Sequence, residues 1–89
     1  MKLARVCGAV VATIKNGALD GRKLLLTDVV GADGEVLEPA LVVVDSLGAG
    51  PGDLVLVSIG SAARIAPDNA GLSIDAAVVA IVDRVDQRT

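Results

Sequence analysis

The 89 residues include no Phe, Tyr or Trp, no His and a single Cys. Each absence closes off a class of function. Without aromatics, a core must be assembled from Val, Leu, Ile and Ala, which bring less apolar area per residue. The same lack removes the ring faces on which nucleic-acid bases stack. With eleven acidic against eight basic residues, the chain also offers no basic stripe for phosphates. A nucleic-acid partner is therefore not expected. Having no His removes the commonest general base and the commonest transition-metal ligand, so no catalytic residue, metal or cofactor is expected. With Cys7 alone, no intrachain disulfide forms. Cys7 lies inside an apolar run with no His to activate it, and is expected as a buried small hydrophobe. No stretch of about 18 apolar residues runs without a charge or turn signal, so no membrane-spanning helix is expected. Met1 to Val6, with Arg5 inside the run, lacks the apolar stretch of a signal peptide, and the reading is a soluble cytosolic protein.

What is present is a series of short β-branched runs punctuated by Gly, Asp, Asn and Pro. Leu3 to Ile14 ends at Lys15-Asn16-Gly17. Lys23 to Val30 is closed by Gly31-Ala32-Asp33-Gly34, a signal for a tight hairpin turn. Leu41 to Ser46 follows Pro39 and leads into Gly48-Ala49-Gly50-Pro51-Gly52. Asp53 to Ile59 and Ala77 to Val85 complete five strands. Ser61 to Arg64 reads as one helical turn with Ser61 as N-cap, and Ser73 to Ala76 as a second short turn. Five strands with close-set turns point to one small all-β domain, closed or nearly closed as a barrel, since closure removes exposed edges. Residues 1–85 form this domain and 86–89 a short polar tail.

A strand with one wet face alternates apolar and polar residues. These strands do not. In the first, Ala4, Val6, Gly8 and Val10 share a face, yet the opposite face carries Leu3, Ala9 and Val11 beside Arg5 and Cys7. In the fourth, Leu54 and Leu56 oppose Val55, Val57 and Ile59. Strands apolar on both faces need cover on both, and the chain has no helices to supply it. At about 25 cal/mol per Å², several hundred Å² of bare apolar surface forgoes several kcal/mol. Another copy of the chain is the natural cover, although the subunit number does not follow.

Chemical constellations are few. Asp28, Asp45, Asp75 and Asp83 sit within or beside strands and suit turn capping, pairing with Arg or Lys, and subunit contacts better than acid–base work. The Gly48 to Gly52 run lacks the Lys, the hydroxyl residue and the helix of a phosphate loop, since Asp53 and a strand follow it. It reads as a tight strand connection. An anion site at Gly60 to Arg64 would rest on a single helical turn, which is weak evidence for one, and Arg22-Lys23 reads as a solvated pair at a strand entrance.

Several stretches, in order along the chain, resemble the CcmL/EutN family of microcompartment shell proteins. They are Met1 to Val6 with Gly8 and Val10 to Thr13, Leu19 to Leu26, and Val44 to Gly50. Leu54 to Leu56, Gly60 to Arg64 and Ile74 to Asp83 follow, so that the resemblance spans about residues 1–85. It implies an OB-like five-stranded barrel with one or two short helical turns, assembled as a homopentamer around a narrow pore. The implied role is structural: a vertex plug in a polyhedral shell tiled by hexameric and trimeric partners, in the bacterial cytoplasm. The family pattern further implies that Gly48, Ala49, Gly50, Gly60, Ser61, Ala62, Ala63 and Arg64 lie at the subunit interface and around the pore. Asp45, Arg64, Asp75 and Asp83 match polar positions and are implied in ion pairs that set the subunit angle. The family commonly places an aromatic where Leu54 stands and a Pro where Ser73 stands.

Two other classes fit less well. A lipoyl-type carrier needs a Lys displayed on a tight hairpin, which neither Lys15 nor Lys23 provides. A co-chaperonin needs a long mobile loop with an apolar tip, whereas Gly31 to Pro39 is short and acidic.

Overall fold

The computed structural model describes residues 1–11, 23–60 and 76–86. Its regular elements are five strands: β1 (Lys2–Val10), β2 (Lys23–Val30), β3 (Val36–Asp45), β4 (Leu54–Ile59) and β5 (Ala76–Val82). They close into a barrel in the order β1-β2-β3-β5-β4. All neighbours run antiparallel except β3 and β5, which meet in parallel at Val44 and Ala77. The expected five-stranded all-β barrel is thus present. The two expected helical turns, Ser61 to Arg64 and Ser73 to Ala76, lie outside the described residues apart from Ala76, which belongs to β5. Of the expected first strand, residues 12–14 also lie outside them.

The inside of the barrel is aliphatic. Ala4, Val6, Leu25, Val43, Val55 and Val57 are each at most 2% exposed, and Leu25 is the largest side chain among them. Thr27 is the polar exception among these inward positions of β2. Its hydroxyl donates to the Leu41 carbonyl at 2.9 Å, so the burial of its oxygen carries no unmet hydrogen bond.

Small barrels must bend sharply, and this one does so at bulges. Along β1 and β2, Val6 opposes Thr27 while Gly8 opposes Leu26, which leaves Cys7 as an extra residue. Because directly opposed residues share a face, the expected face Ala4-Val6-Gly8-Val10 is broken there. Ala4 and Val6 point inward; Gly8 and Val10 share the outer side with Leu26 and Leu24. Cys7, expected as buried, is exposed in the single chain for the same reason.

A second bulge corrects the start of the third strand. Instead of beginning at Leu41, β3 begins at Val36 and runs through Pro39. Asp28 faces two residues, Pro39 and Ala40, between the pairs Thr27–Leu41 and Val29–Glu38. A bulge is one of the few places in a sheet where Pro is tolerated, because no ladder N–H is demanded of it. The displaced Ala40 N–H is taken by the Asp28 carboxylate at 3.1 Å. Ala40 itself has φ 63°, the left-handed region. The β2–β3 hairpin turn is longer than two residues, closed by Gly31 N–H to Glu35 O at 2.8 Å, with Gly34 at φ 90°.

The outside of the barrel carries two apolar patches. On β1, β4 and β5 the register aligns Leu3, Leu56 and Ala80, and beside them Leu54 and Val82. On β1, β2 and β3 it aligns Gly8, Leu26 and Val42, and beside them Val10 and Leu24. Val42 is 45% exposed and the other patch residues are half-buried in the single chain. Arg5 and Asp28, opposed across β1 and β2, form a polar strip between the two patches.

An L-residue in the left-handed region costs about 1–2 kcal/mol. Replacing Ala40 with Gly releases that cost but frees the unfolded chain by roughly 0.4–1 kcal/mol. Ala40→Gly is expected to hold or raise the urea midpoint, and Ala40→Val to lower it, followed by far-ultraviolet circular dichroism at fixed protein concentration.

Candidate functional site

The most highly connected polar group in the described structure is Asp45, the last residue of β3. Its side chain is buried, and its carboxylate accepts three backbone N–H groups from the loop that follows: Leu47 at 2.9 Å, Gly48 at 3.1 Å and Ala49 at 2.8 Å. Lys23, its register partner on β2, sets its Nζ 3.9 Å from one carboxylate oxygen and donates to the Ala49 carbonyl at 3.0 Å. A buried carboxylate is tolerable only when paired and hydrogen-bonded, and both conditions are met here.

The rest of the Gly48 to Gly52 loop closes on itself and on β1. Gly50 N–H donates to the Asp53 carboxylate at 2.8 Å, and Asp53 N–H returns to Gly50 O at 3.0 Å. Gly52 N–H donates to Val6 O and Val6 N–H to Asp53 O, at 2.8 and 2.9 Å. Arg5 caps the Gly52 carbonyl at 3.0 Å. Gly48 and Gly52 have φ of 88° and 89°, which explains Gly at these two corners. Every N–H from Leu47 to Asp53 is consumed within the subunit, Pro51 having none. The loop therefore cannot cradle a phosphate, as the missing Lys and hydroxyl indicated. Ala49, at the loop's centre, is wholly buried and joins the barrel core.

Those expected site residues that are among the described residues fall at the two ends of β4. Asp45, Gly48, Ala49 and Gly50 sit at its start, where Leu54 pairs with Val82; the exposed Asp83 follows directly. Gly60, with φ 72°, sits at the other end, where Ile59 pairs with Ala76. The two ends are about 17 Å apart along the strand. Ser61, Ala62, Ala63, Arg64 and Asp75 lie outside the described residues. Of the carboxylates, Asp28 serves the Ala40 N–H and Asp45 the loop, on different strands.

Reading the sequence left out Asp53, Arg5 and Lys23 as parts of this loop's anchorage. The one signal available was Asp53 placed three residues after Gly50, a spacing suited to a local side-chain turn. The contacts of Arg5 and Lys23 join residues 47 and 26 positions apart, and no local pattern announces them.

Cys7 also has a defined environment. Partial desolvation, and then the Asp28 carboxylate, raise its thiol above the ordinary value, so less thiolate exists at a given pH. Its reaction with a disulfide reagent at pH 8 is expected to be slower than that of a free cysteine peptide, and faster in Asp28→Asn; an equal rate in the two proteins would refute the contribution of Asp28. For the loop, Asp45→Ala strands three N–H donors and is expected to cost roughly 2–4 kcal/mol in urea unfolding. Asp45→Asn should fall between, since its amide retains one acceptor oxygen for the N–H groups that share two oxygens in the wild type.

Known proteins share both this sequence and this barrel. The family profile described as ethanolamine utilisation protein EutN/carboxysome matches residues 1–83. The microcompartment shell vertex protein PduN of Salmonella typhimurium is 54% identical, over 93% of this chain and 96% of that protein. The carboxysome shell vertex protein CcmL of Thermosynechococcus vestitus is 49% identical, over 98% of this chain and 88% of its own length. The solved structure of GrpN, a pentameric microcompartment shell protein from Rhodospirillum rubrum, superposes with a TM-score of 0.86 at 44% identity, covering 99% of this chain and all of GrpN. The chain belongs to the EutN/CcmL family of microcompartment shell proteins.

Proposed function

We propose that this protein is a vertex subunit of a bacterial microcompartment shell, working as a closed ring of five copies and catalysing no reaction. The observation that carries the proposal is the match over nearly the whole chain to shell vertex proteins, two of them about half identical to it. Physical features of the subunit support it. A barrel with apolar patches on its outer surface is incomplete as a monomer. A loop whose N–H groups are all engaged internally is rigid, and rigidity is what a geometric cap requires.

In this reading the partners are further copies of the chain, and beyond them the hexameric and trimeric tiles of a shell in the bacterial cytoplasm. Six-fold tiles alone cover a plane, and five-fold units supply the curvature that closes it. Residues 1–85 act as the barrel unit and 86–89 as a tail. The proposed interface and pore set brackets β4, with Asp45, Gly48, Ala49, Gly50 and Asp83 at one end. Gly60 lies at the other, and Ser61, Ala62, Ala63, Arg64 and Asp75 complete the proposed set. Asp45 already stands 3.9 Å from Lys23 within its own subunit, so its part in setting the subunit angle runs through the loop it holds.

Native mass spectrometry tests the assembly directly, and suits a chain without Trp or Tyr. Five copies of 8.9 kDa predict a particle of about 45 kDa. A stable monomer would overturn the proposal, and a seven-chain particle would favour a co-chaperonin instead.

A further inference from the structure

We infer that the open groove between the start of β1 and the β2–β3 hairpin docks a segment of another protein, one both apolar and basic. The inference adds a partner to the vertex reading above and does not depend on the number of copies.

Two closely spaced bulges shape the groove. Register shifts fall between Thr27 and Val29 and again between Val29 and Val30. Val29 opposes Glu38 and Val30 opposes Val36, which leaves Leu37 opposed to no residue of β2. A bulge bends its strand and re-aims the side chain that it carries. Val29 and Val30 are buried, and with Met1, Leu3 and Leu37 they line a groove of about 290 Å³. Met1 is 83% exposed and Leu37 60%, and Val36 is exposed next to Leu37. Apolar side chains gathered in one concave place mark an interaction site, where the same side chains scattered would not. Met1 also brings an unbranched thioether, which adapts to the shape of an incoming side chain. The volume falls just below the range of about 300–1,000 Å³ for small-molecule sites, so the groove suits a few anchoring side chains.

Charge selects the partner. The hairpin from Gly31 to Glu38 carries Asp33, Glu35 and Glu38 and no Lys or Arg. The remaining eight carboxylates are matched by eight Lys and Arg, so these few residues hold the chain's whole excess of −3. Glu38 on β3 reaches across to Lys2 on β1 at 2.8 Å, with both side chains exposed. An exposed pair of this kind is weak, and a second cation can share its carboxylate. Asp33 accepts the Glu35 N–H at 3.0 Å, and the Glu35 carboxylate has no partner among the described residues. An acidic rim repels anionic lipid and nucleic acid and draws a basic segment towards the apolar floor. The same hairpin of a second copy would set carboxylate against carboxylate.

The test uses the full chain and a synthetic peptide of about fifteen residues of Leu, Ala and Lys, with its leucines on one helical face. Met1 is the chain's sole methionine and lines the groove, so methyl-labelled methionine gives one nuclear magnetic resonance signal there. The peptide is expected to shift this signal and the Leu37 methyls saturably, leaving the methyls of the core residue Leu25 unmoved. Leu37→Ser is expected to weaken binding about tenfold. Glu35→Lys should weaken it about fivefold, an effect that fades at high salt. Both side chains are exposed, so both variants keep the wild-type circular dichroism spectrum. No saturable shift with the peptide at about 1 mM overturns the inference. So does equal affinity for the peptide with its lysines changed to Glu. Loss of the wild-type native mass in Leu37→Ser would give the groove to a second copy, and overturns it too. A wild-type mass other than five chains overturns the five-copy reading alone, since the peptide titration stands without it.

Discussion

The carboxylate of Asp45 holds together three things that would otherwise be independent. It ends β3, it gathers the N–H groups of Leu47, Gly48 and Ala49, and it stands beside Lys23 of β2. Through those bonds the loop turns inward and Ala49 becomes part of the core instead of part of the surface. The chain then reaches β4 by way of the reciprocal Gly50–Asp53 contacts and the two backbone bonds to Val6. In this way a side chain at the end of one strand determines where the next strand begins relative to β1. In a barrel of this size, with no aromatic ring to fill errors of placement, that restraint matters more than it would in a larger core.

The aliphatic composition has a consequence on the outside as well as the inside. Leu, Val and Ile on both faces leave the single barrel with two uncovered flanks, and shell vertex relatives that include a pentameric structure supply a context in which flanks are covered by neighbours. The hydrophobic effect that closes the barrel and the one that gathers subunits are the same interaction acting at two scales.

Bulges give the barrel its curvature and also decide which residues face outward. One extra residue at Cys7 transfers Gly8 and Val10 from the inner to the outer side. Another, opposite Asp28, allows β3 to continue through Pro39 and places Ala40 in a left-handed conformation supported by the Asp28 carboxylate. Neither is a defect of packing. Each converts a flat ladder into a bend, and at the second the Asp28 carboxylate takes the N–H that the bend leaves open.

The number of strands, the bounds of β2, the aliphatic core and the uncovered outer faces were all legible in the residue order, because they depend on composition and on a two-residue period. So was the rejection of a phosphate loop, because that site demands particular residues at particular places. The start of β3 was not legible, since a Pro ordinarily signals a strand boundary and only the pairing with β2 reveals a bulge. The outward position of Cys7 was hidden for the same reason: a strand's period carries no mark of the residue at which it slips. Among the site residues, the run from Asp45 to Gly50 could be singled out by eye, but its attachment to Lys23, Arg5 and Val6 joins positions distant in sequence. Local pattern determined which segments are strands and that they need a partner. Only the closed tertiary structure decided the register, and with it which side chains meet, because register is a property of pairs of strands and no single strand contains it.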